Sequence, residues 1–354
     1  MPTRTTPRRP ARSTAARAID LALQGGGSHG AFTWGVLDRL LEEPWLEFDG
    51  VSGTSAGALN AGVLATGYAR GGRRGAREAL AAFWNEVAVQ GACFGGAANR
   101  GALPPAIAQW LPWNPMTWWW NELTRIASPY QFNPLDINPL RDVVRRHVDI
   151  DAVRRGPLTV FVNATSVHSG RPRIFRREDL SHEALLASAC LPQLFRAVQI
   201  DGEPYWDGGY SGNPALWPLI YETASLDLVL VKIDPLVRAA TPDTPLEIQD
   251  RLNEVTFNAG LVSEMRAIAF VHKLHREGQI DTRRYKDLRL HMIGDDAAML
   301  RYPASSKLDS SAALLRELHG LGRNAAVRWL VEDAPQVGRR STLDVRRVFL
   351  GEKD

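Results

Sequence analysis

Two apolar runs in this chain each end in a glycine-bearing turn and pass straight into a run of helical character, and this arrangement restricts the fold more than any other feature. The first is "AIDLALQ" (18 to 24), followed by "GGGSHG" and the helix-like "AFTWGVLDRLLEE" (31 to 43). The second is "FDGVS" (48 to 52), followed by "GTSAG" and a run of small and apolar residues from Ala56 onward. Buried strands alternating with helices predict a mainly parallel sheet covered on both faces. The later runs "LTVFVNATSV" (158 to 167), "SHEALLASA" (181 to 189) and "LDLVLVKID" (226 to 234) continue the alternation.

The first turn is open to three readings. Gly25, Gly27 and Gly30 spell GxGxxG, a dinucleotide-binding turn. Gly26, Ser28 and Gly30 spell GxSxG, the elbow that exposes a nucleophilic serine. In the third reading the bare N–H groups of the glycines hold a negative charge at a helix N-terminus. The dinucleotide reading asks for an acidic residue about 20 positions further on, at the end of the second strand. Asp49 stands near that place, but a second GxSxG follows it, made by Gly53, Ser55 and Gly57, for which such a fold has no use.

A lone GxSxG arises by chance in roughly one chain in ten of this length. Here an apolar strand enters it and a helix of small residues leaves it, as an elbow requires. The turn crowds the positions two before and two after the serine, which accounts for Gly53 and Gly57. The emerging helix aims its N-terminal dipole at Ser55 and favours negative charge developing there. Ser28, inside a run of glycines, is held less firmly, so Ser55 is the candidate nucleophile.

A serine hydroxyl needs a base. His272, His275, His291 and His319 lie downstream, but none stands in a loop after a strand, where a hydrolase triad places its histidine. Another carboxylate stands out in "EPYWDGGYSGNP". Gly208 and Gly209 permit a tight turn beside Asp207, and the neighbouring Trp206 indole is expected to desolvate the carboxylate and raise its basicity. Read blandly, the same letters are an Asx turn ending a hairpin.

"GGGSHG", "GTSAG", "ASACLP" (Ala187 to Pro192) and "DGG" follow the order of the four sequence blocks of patatin-like phospholipases, and residues 18 to 235 resemble that family. The resemblance implies a three-layer α/β/α sandwich, an α/β fold with a mainly parallel central sheet, here followed by C-terminal helices. It implies a Ser-Asp dyad of Ser55 and Asp207 without histidine, and an oxyanion hole at Gly25, Gly26 and Gly27, which favours the third reading of the first turn. Gly53, Gly57, Gly208 and Gly209 then support the motifs, and no metal or cofactor is called for. The family often has Arg or Lys where this chain has His29, so the charge at that position is expected to vary with pH. The implied activity is that of a phospholipase A, lysophospholipase or esterase acting through an acyl-enzyme on a lipid or other acyl ester. A non-catalytic lipid-binding protein of the same fold and an NAD(P)-binding oxidoreductase are the rival classes.

The rest of the chain bounds these readings. With 354 residues, 45% of them hydrophobic, it can bury one large domain with additions, or two domains. Residues 1 to 17 carry five Arg and no acidic residue, and read as a disordered basic tail rather than a secretory signal. Residues 18 to 235 read as the catalytic domain, with a Trp- and Pro-rich insertion at about 91 to 135. Residues 236 to 354 read as a mainly helical extension packed on it, including a long helix with a break near Gly260, a strand "LRLHMI" and a helix from about Ser310 to Val331. Trp110, Trp113, Trp118, Trp119 and Trp120 suit peripheral contact with a lipid surface, or equally packing beneath the insertion or in a dimer contact. No apolar run approaches the roughly 20 residues of a bilayer span, so the chain is expected to be cytoplasmic or peripheral to a membrane. A net charge of +3 gives no case for a nucleic-acid partner, and two cysteines without metal spacing give none for a disulfide framework or a zinc site.

Overall fold

In a computed structural model, residues 16–93 and 128–352 of the chain are described. All five tryptophans of the Trp-rich segment lie outside them. The first strand, β1 (Arg17–Leu23), leads through the glycine turn into α1 (Gly30–Leu40); β2 (Leu46–Thr54) leads into α2 (Ala56–Cys93). β1 therefore begins inside the stretch read as tail, with Arg17 N–H bonded to the Trp45 carbonyl. Two glycines, Gly71 and Gly72, leave helical geometry and divide α2 into two rods. Then follow α3 (Pro139–His147), α4 (Ile150–Arg155), β3 (Thr159–Ser166), β4 (Pro172–Phe175) and α5 (His182–Ser188). The hairpin β5 (Val198–Ile200) and β6 (Glu203–Asp207), then α6 (Trp217–Glu222) and β7 (Asp227–Val231), complete the middle of the chain.

Eight strands form one sheet in the order β5-β6-β3-β2-β1-β7, closed by β8 (Arg289–Ile293), with β4 pairing β3. The central pairs β2–β3, β1–β2, β1–β7 and β7–β8 are parallel; β3–β4, β3–β6 and β5–β6 are antiparallel. Strand alternation sorts side chains between two cores. Leu21, Leu23, Val229 and Val231 face a core shared with α1, α2, α5 and the helix α8 (Ala312–Glu332). Ala22, Leu228, Leu230 and Leu290 face the other, shared with α6, with α7 (Pro245–Arg276) and with the terminal α9 (Val345–Leu350). This is a three-layer α/β/α sandwich.

Residues beyond 235 supply the edge strand β8 and, through α8, cover α1. The two helices touch backbone to backbone: a Cβ on Gly35 would stand 2.0 Å from the His319 carbonyl oxygen, and one on Gly322 2.0 Å from that of Phe32. The expected break at Gly260 is absent, and α7 runs through it. A Cβ at Gly260 would come within 3.1 Å of the Gly212 Cα, so this glycine admits a close neighbour rather than ending a helix.

Candidate active site

The glycine turn lies past the carboxyl end of β1. There the strand order reverses between β1 and β7, and open α/β sheets form their crevices at such points. Ser55 stands at the carboxyl end of neighbouring β2 with φ 55°, the left-handed region that L side chains seldom adopt. The turn is this sharp because the backbones around it are nearly in contact. A Cβ on Gly53 would lie 2.4 Å from the Gly57 carbonyl oxygen, and one on Gly57 would lie 2.1 Å from that of Leu23. The Ser55 N–H donates to Ser188 Oγ at 2.9 Å, so "ASACLP" reaches the elbow through α5. The first rod of α2 starts at Ala56, with its N-terminal dipole at the serine.

Asp207 ends β6 and is fully buried. Its Oδ1 accepts the Gly209 N–H at 2.8 Å, which is the Asx turn of the bland reading. The Ser55 hydroxyl pulls the pKa of this carboxyl downward, and Oδ2 completes no hydrogen bond among the described residues. Burial pushes the Asp207 carboxyl up to about 7, against the pull of the Gly209 N–H, the Ser55 hydroxyl and the Lys307 ammonium. Trp206 precedes Asp207 on β6 and is directed by strand alternation to the opposite side of the sheet. The desolvation expected of its indole therefore comes from the sheet and the helices over it.

Backbone groups around the aspartate are held by buried side chains that the motifs do not mark. Asn163 Nδ2 donates to the carbonyls of Gly208 and Gly212, each at 2.8 Å. Thr54 Oγ1 donates to Gly212 at 2.9 Å, and Thr165 Oγ1 to the Asp207 carbonyl at 2.8 Å. A Cβ on Gly208 would meet the Asn163 carbonyl oxygen at 2.1 Å, and one on Gly209 the Phe257 ring at 2.2 Å.

The three glycines of the first turn differ in what their amides do. The Gly25 N–H donates to Asn213 Oδ1 at 2.6 Å, and a Cβ on Gly25 would lie 2.7 Å from the Ser55 Cβ. The Gly26 and Gly27 N–H groups have no acceptor among the described residues. Ser28 is buried beside them. His29 is buried too, and its imidazole is pushed down to about 3, chiefly by burial and further by Lys307. Burial thus makes this imidazole a much weaker base than an ordinary histidine. Of the other candidate histidines, His272 Nε2 bonds with the Leu288 carbonyl, His291 bonds with Asp227 and Thr342, and His319 Nε2 lies 3.4 Å from Asp38, while both ring nitrogens of His275 are buried without a hydrogen-bond partner among the described residues.

Among the described residues no group of three or more His, Cys, Asp or Glu is arranged to hold a metal ion. Among them, too, no helix is long and apolar enough to cross a membrane. Cys190 is buried with its thiol pushed up to about 12 by desolvation and by Asp207, and it donates to the Arg196 carbonyl.

Compared with known proteins, residues 21–220, more than half of the chain, match the model of a family described as patatin-like phospholipase. A solved structure, that of VipD from Legionella pneumophila, is similar at 13% identity and a TM-score of 0.36, over 90% of this chain and 67% of that one. The search of curated proteins gave no match.

Proposed function

The chain belongs to the patatin-like phospholipase family, and from that premise we propose that it is a serine lipid acyl hydrolase in which Ser55 is the nucleophile and Asp207 the base. The observation that carries this reading is the elbow itself. Ser55 is held in left-handed geometry at the elbow, its hydroxyl acts on the buried Asp207 carboxyl, and the Gly26 and Gly27 amides of the adjoining turn have no acceptor among the described residues.

The Asp207 carboxylate takes the hydroxyl proton as Ser55 Oγ attacks the acyl carbon. The oxyanion of the tetrahedral intermediate is received by the Gly26 and Gly27 N–H groups, with the α2 dipole adding to the field. Gly25 contributes through its missing side chain, since its amide is engaged by Asn213. The intermediate collapses, the C–O bond to the leaving alcohol breaks, and Asp207 returns the proton to that alcohol. Water, deprotonated in turn by Asp207, attacks the acyl-enzyme and releases the carboxylic acid, restoring Ser55. A base with its pKa near the working pH suits both halves of the cycle.

Turnover of a short p-nitrophenyl ester tests the proposal. Ser55→Ala should lower kcat by about 10⁴-fold or more, and Asp207→Asn by about 10²- to 10⁴-fold, with melting still cooperative. Near-normal turnover by Asp207→Asn would remove the dyad.

A further inference from the structure

The residue just before the glycine turn carries a side chain that ties three elements together. Gln24 is fully buried, and its Oε1 accepts the Ile233 N–H at 2.7 Å and the Asp234 N–H at 2.8 Å, on the loop past β7. Its Nε2 donates to Asn258 Oδ1 on α7 at 3.0 Å, and Asn258 Nδ2 donates to the Pro235 carbonyl at 3.4 Å. Asn258 is itself buried, so one pair of amides joins the end of β1, the loop past β7 and α7.

Both ends of this bridge meet the proposed machinery. Ile233, whose amide Gln24 holds, places its Cγ2 3.3 Å from where a Gly26 Cβ would stand. Next to Asn258 on α7, Phe257 packs on Gly209 and meets the Tyr210 ring at 5.0 Å between centroids, and Gly260 lies against Gly212. Helix α7 thus touches the turn that carries Asp207 and, through Asn258 and Gln24, the turn that carries the Gly26 and Gly27 amides.

Three successive glycines have wide conformational freedom, so an oxyanion site built on them works only if other groups fix it. Asn213 holds the turn at Gly25, and Gly27, at φ +57°, admits the Lys307 carbonyl oxygen 2.3 Å from where its Cβ would stand. Gln24 supplies the remaining hold. We propose that the buried pair Gln24–Asn258 is a positioning clamp that sets the oxyanion turn against the Asp207 turn through α7, a helix outside the matched family region. The inference rests on the dyad reading above.

The test uses the full chain with Gln24→Met, Gln24→Glu and Asn258→Ala, the last serving if Gln24→Met fails to fold. Ester kinetics per folded molecule are recorded alongside hydrogen exchange of the Gly25 amide, whose bond to Asn213 reports how firmly the turn is held. Gln24→Met and Asn258→Ala should lower kcat by about 10- to 100-fold with KM within about threefold of wild type, because the cradle meets an oxyanion only in the transition state. In both, Gly25 exchange should quicken by about tenfold or more relative to the amides of β7. Gln24→Glu should recover most of the lost kcat, since its carboxylate still accepts the Ile233 and Asp234 N–H groups and the Asn258 amide can turn to donate to it. A merely structural bridge would lower the melting temperature and leave kcat within about twofold of wild type, and that result overturns the proposal. If the wild type turns over no ester, the dyad reading fails, and Gly25 exchange then decides the clamp: a rate that does not move relative to β7 overturns it.

Discussion

The Gly25 amide and the Asn213 side chain form a hydrogen bond of 2.6 Å that ties the turn after β1 to the loop after Gly209. Asn213 is fully buried, so its amide cannot be replaced by water without rearrangement. Asn213→Ala should destabilise the fold by about 1–3 kcal/mol, the cost of leaving a buried N–H unpaired. Because the Gly25 Cα sits against Ser55, turnover should also fall by about 10- to 100-fold through misplacement of the cradle. Thermal melting and ester kinetics check the two effects, and unchanged kinetics would separate Asn213 from the site.

Turnover should depend on a single ionisation at its acid side. Asp207 must be ionised to accept the Ser55 proton, and burial has pushed its carboxyl up to about 7. The value of kcat/KM should therefore climb with pH through about 7 and then level off. A profile already flat at pH 5 would mean a base of ordinary carboxylate strength.

The same group should make the protein less stable than it could be. Its pKa is about 7 when folded, against 3.8 for an ordinary aspartate, so the native state holds the proton more tightly. That contribution is complete below pH 4 and is lost as pH rises to 7. Asp20 and Glu264, both raised to about 7 by burial, act in the same direction. Asp207→Asn should gain melting temperature over wild type across the interval from pH 4 to 7 and hold that margin above it. A margin that does not change with pH would show that Asp207 ionises normally.

Ser55 occupies a conformation that a glycine adopts without strain. Both Ser55→Ala and Ser55→Gly should be inactive, but the glycine variant should be the more stable by about 1 kcal/mol. Equal stabilities would mean that the elbow carries no strain.

The glycine blocks were legible in the sequence because each marks a place where the topology forces two backbones together, as Gly57 against Leu23 and Gly208 against Asn163 show. Asp207 was ambiguous because the Asx turn uses only one of its oxygens: Oδ1 accepts the Gly209 N–H, while Oδ2 completes no bond among the described residues. Gly260 misled for a related reason, since a glycine that admits a neighbour to a helix looks like one that ends it. Ser188 and Asn213 act through one hydrogen bond each and Asn163 through two, and none of these leaves a spacing pattern. Lys307 reaches the glycine turn only through the three-dimensional path of the chain after β8, which no local pattern records.

The central claim is that Ser55 is chemically activated by Asp207, and labelling with a serine-directed fluorophosphonate followed by peptide mapping tests it most directly. The account predicts one adduct, on Ser55, that forms readily in the wild type and slowly in Asp207→Asn. An unlabelled wild-type protein, an adduct on Ser28, or equal labelling of the Asp207→Asn variant would contradict it.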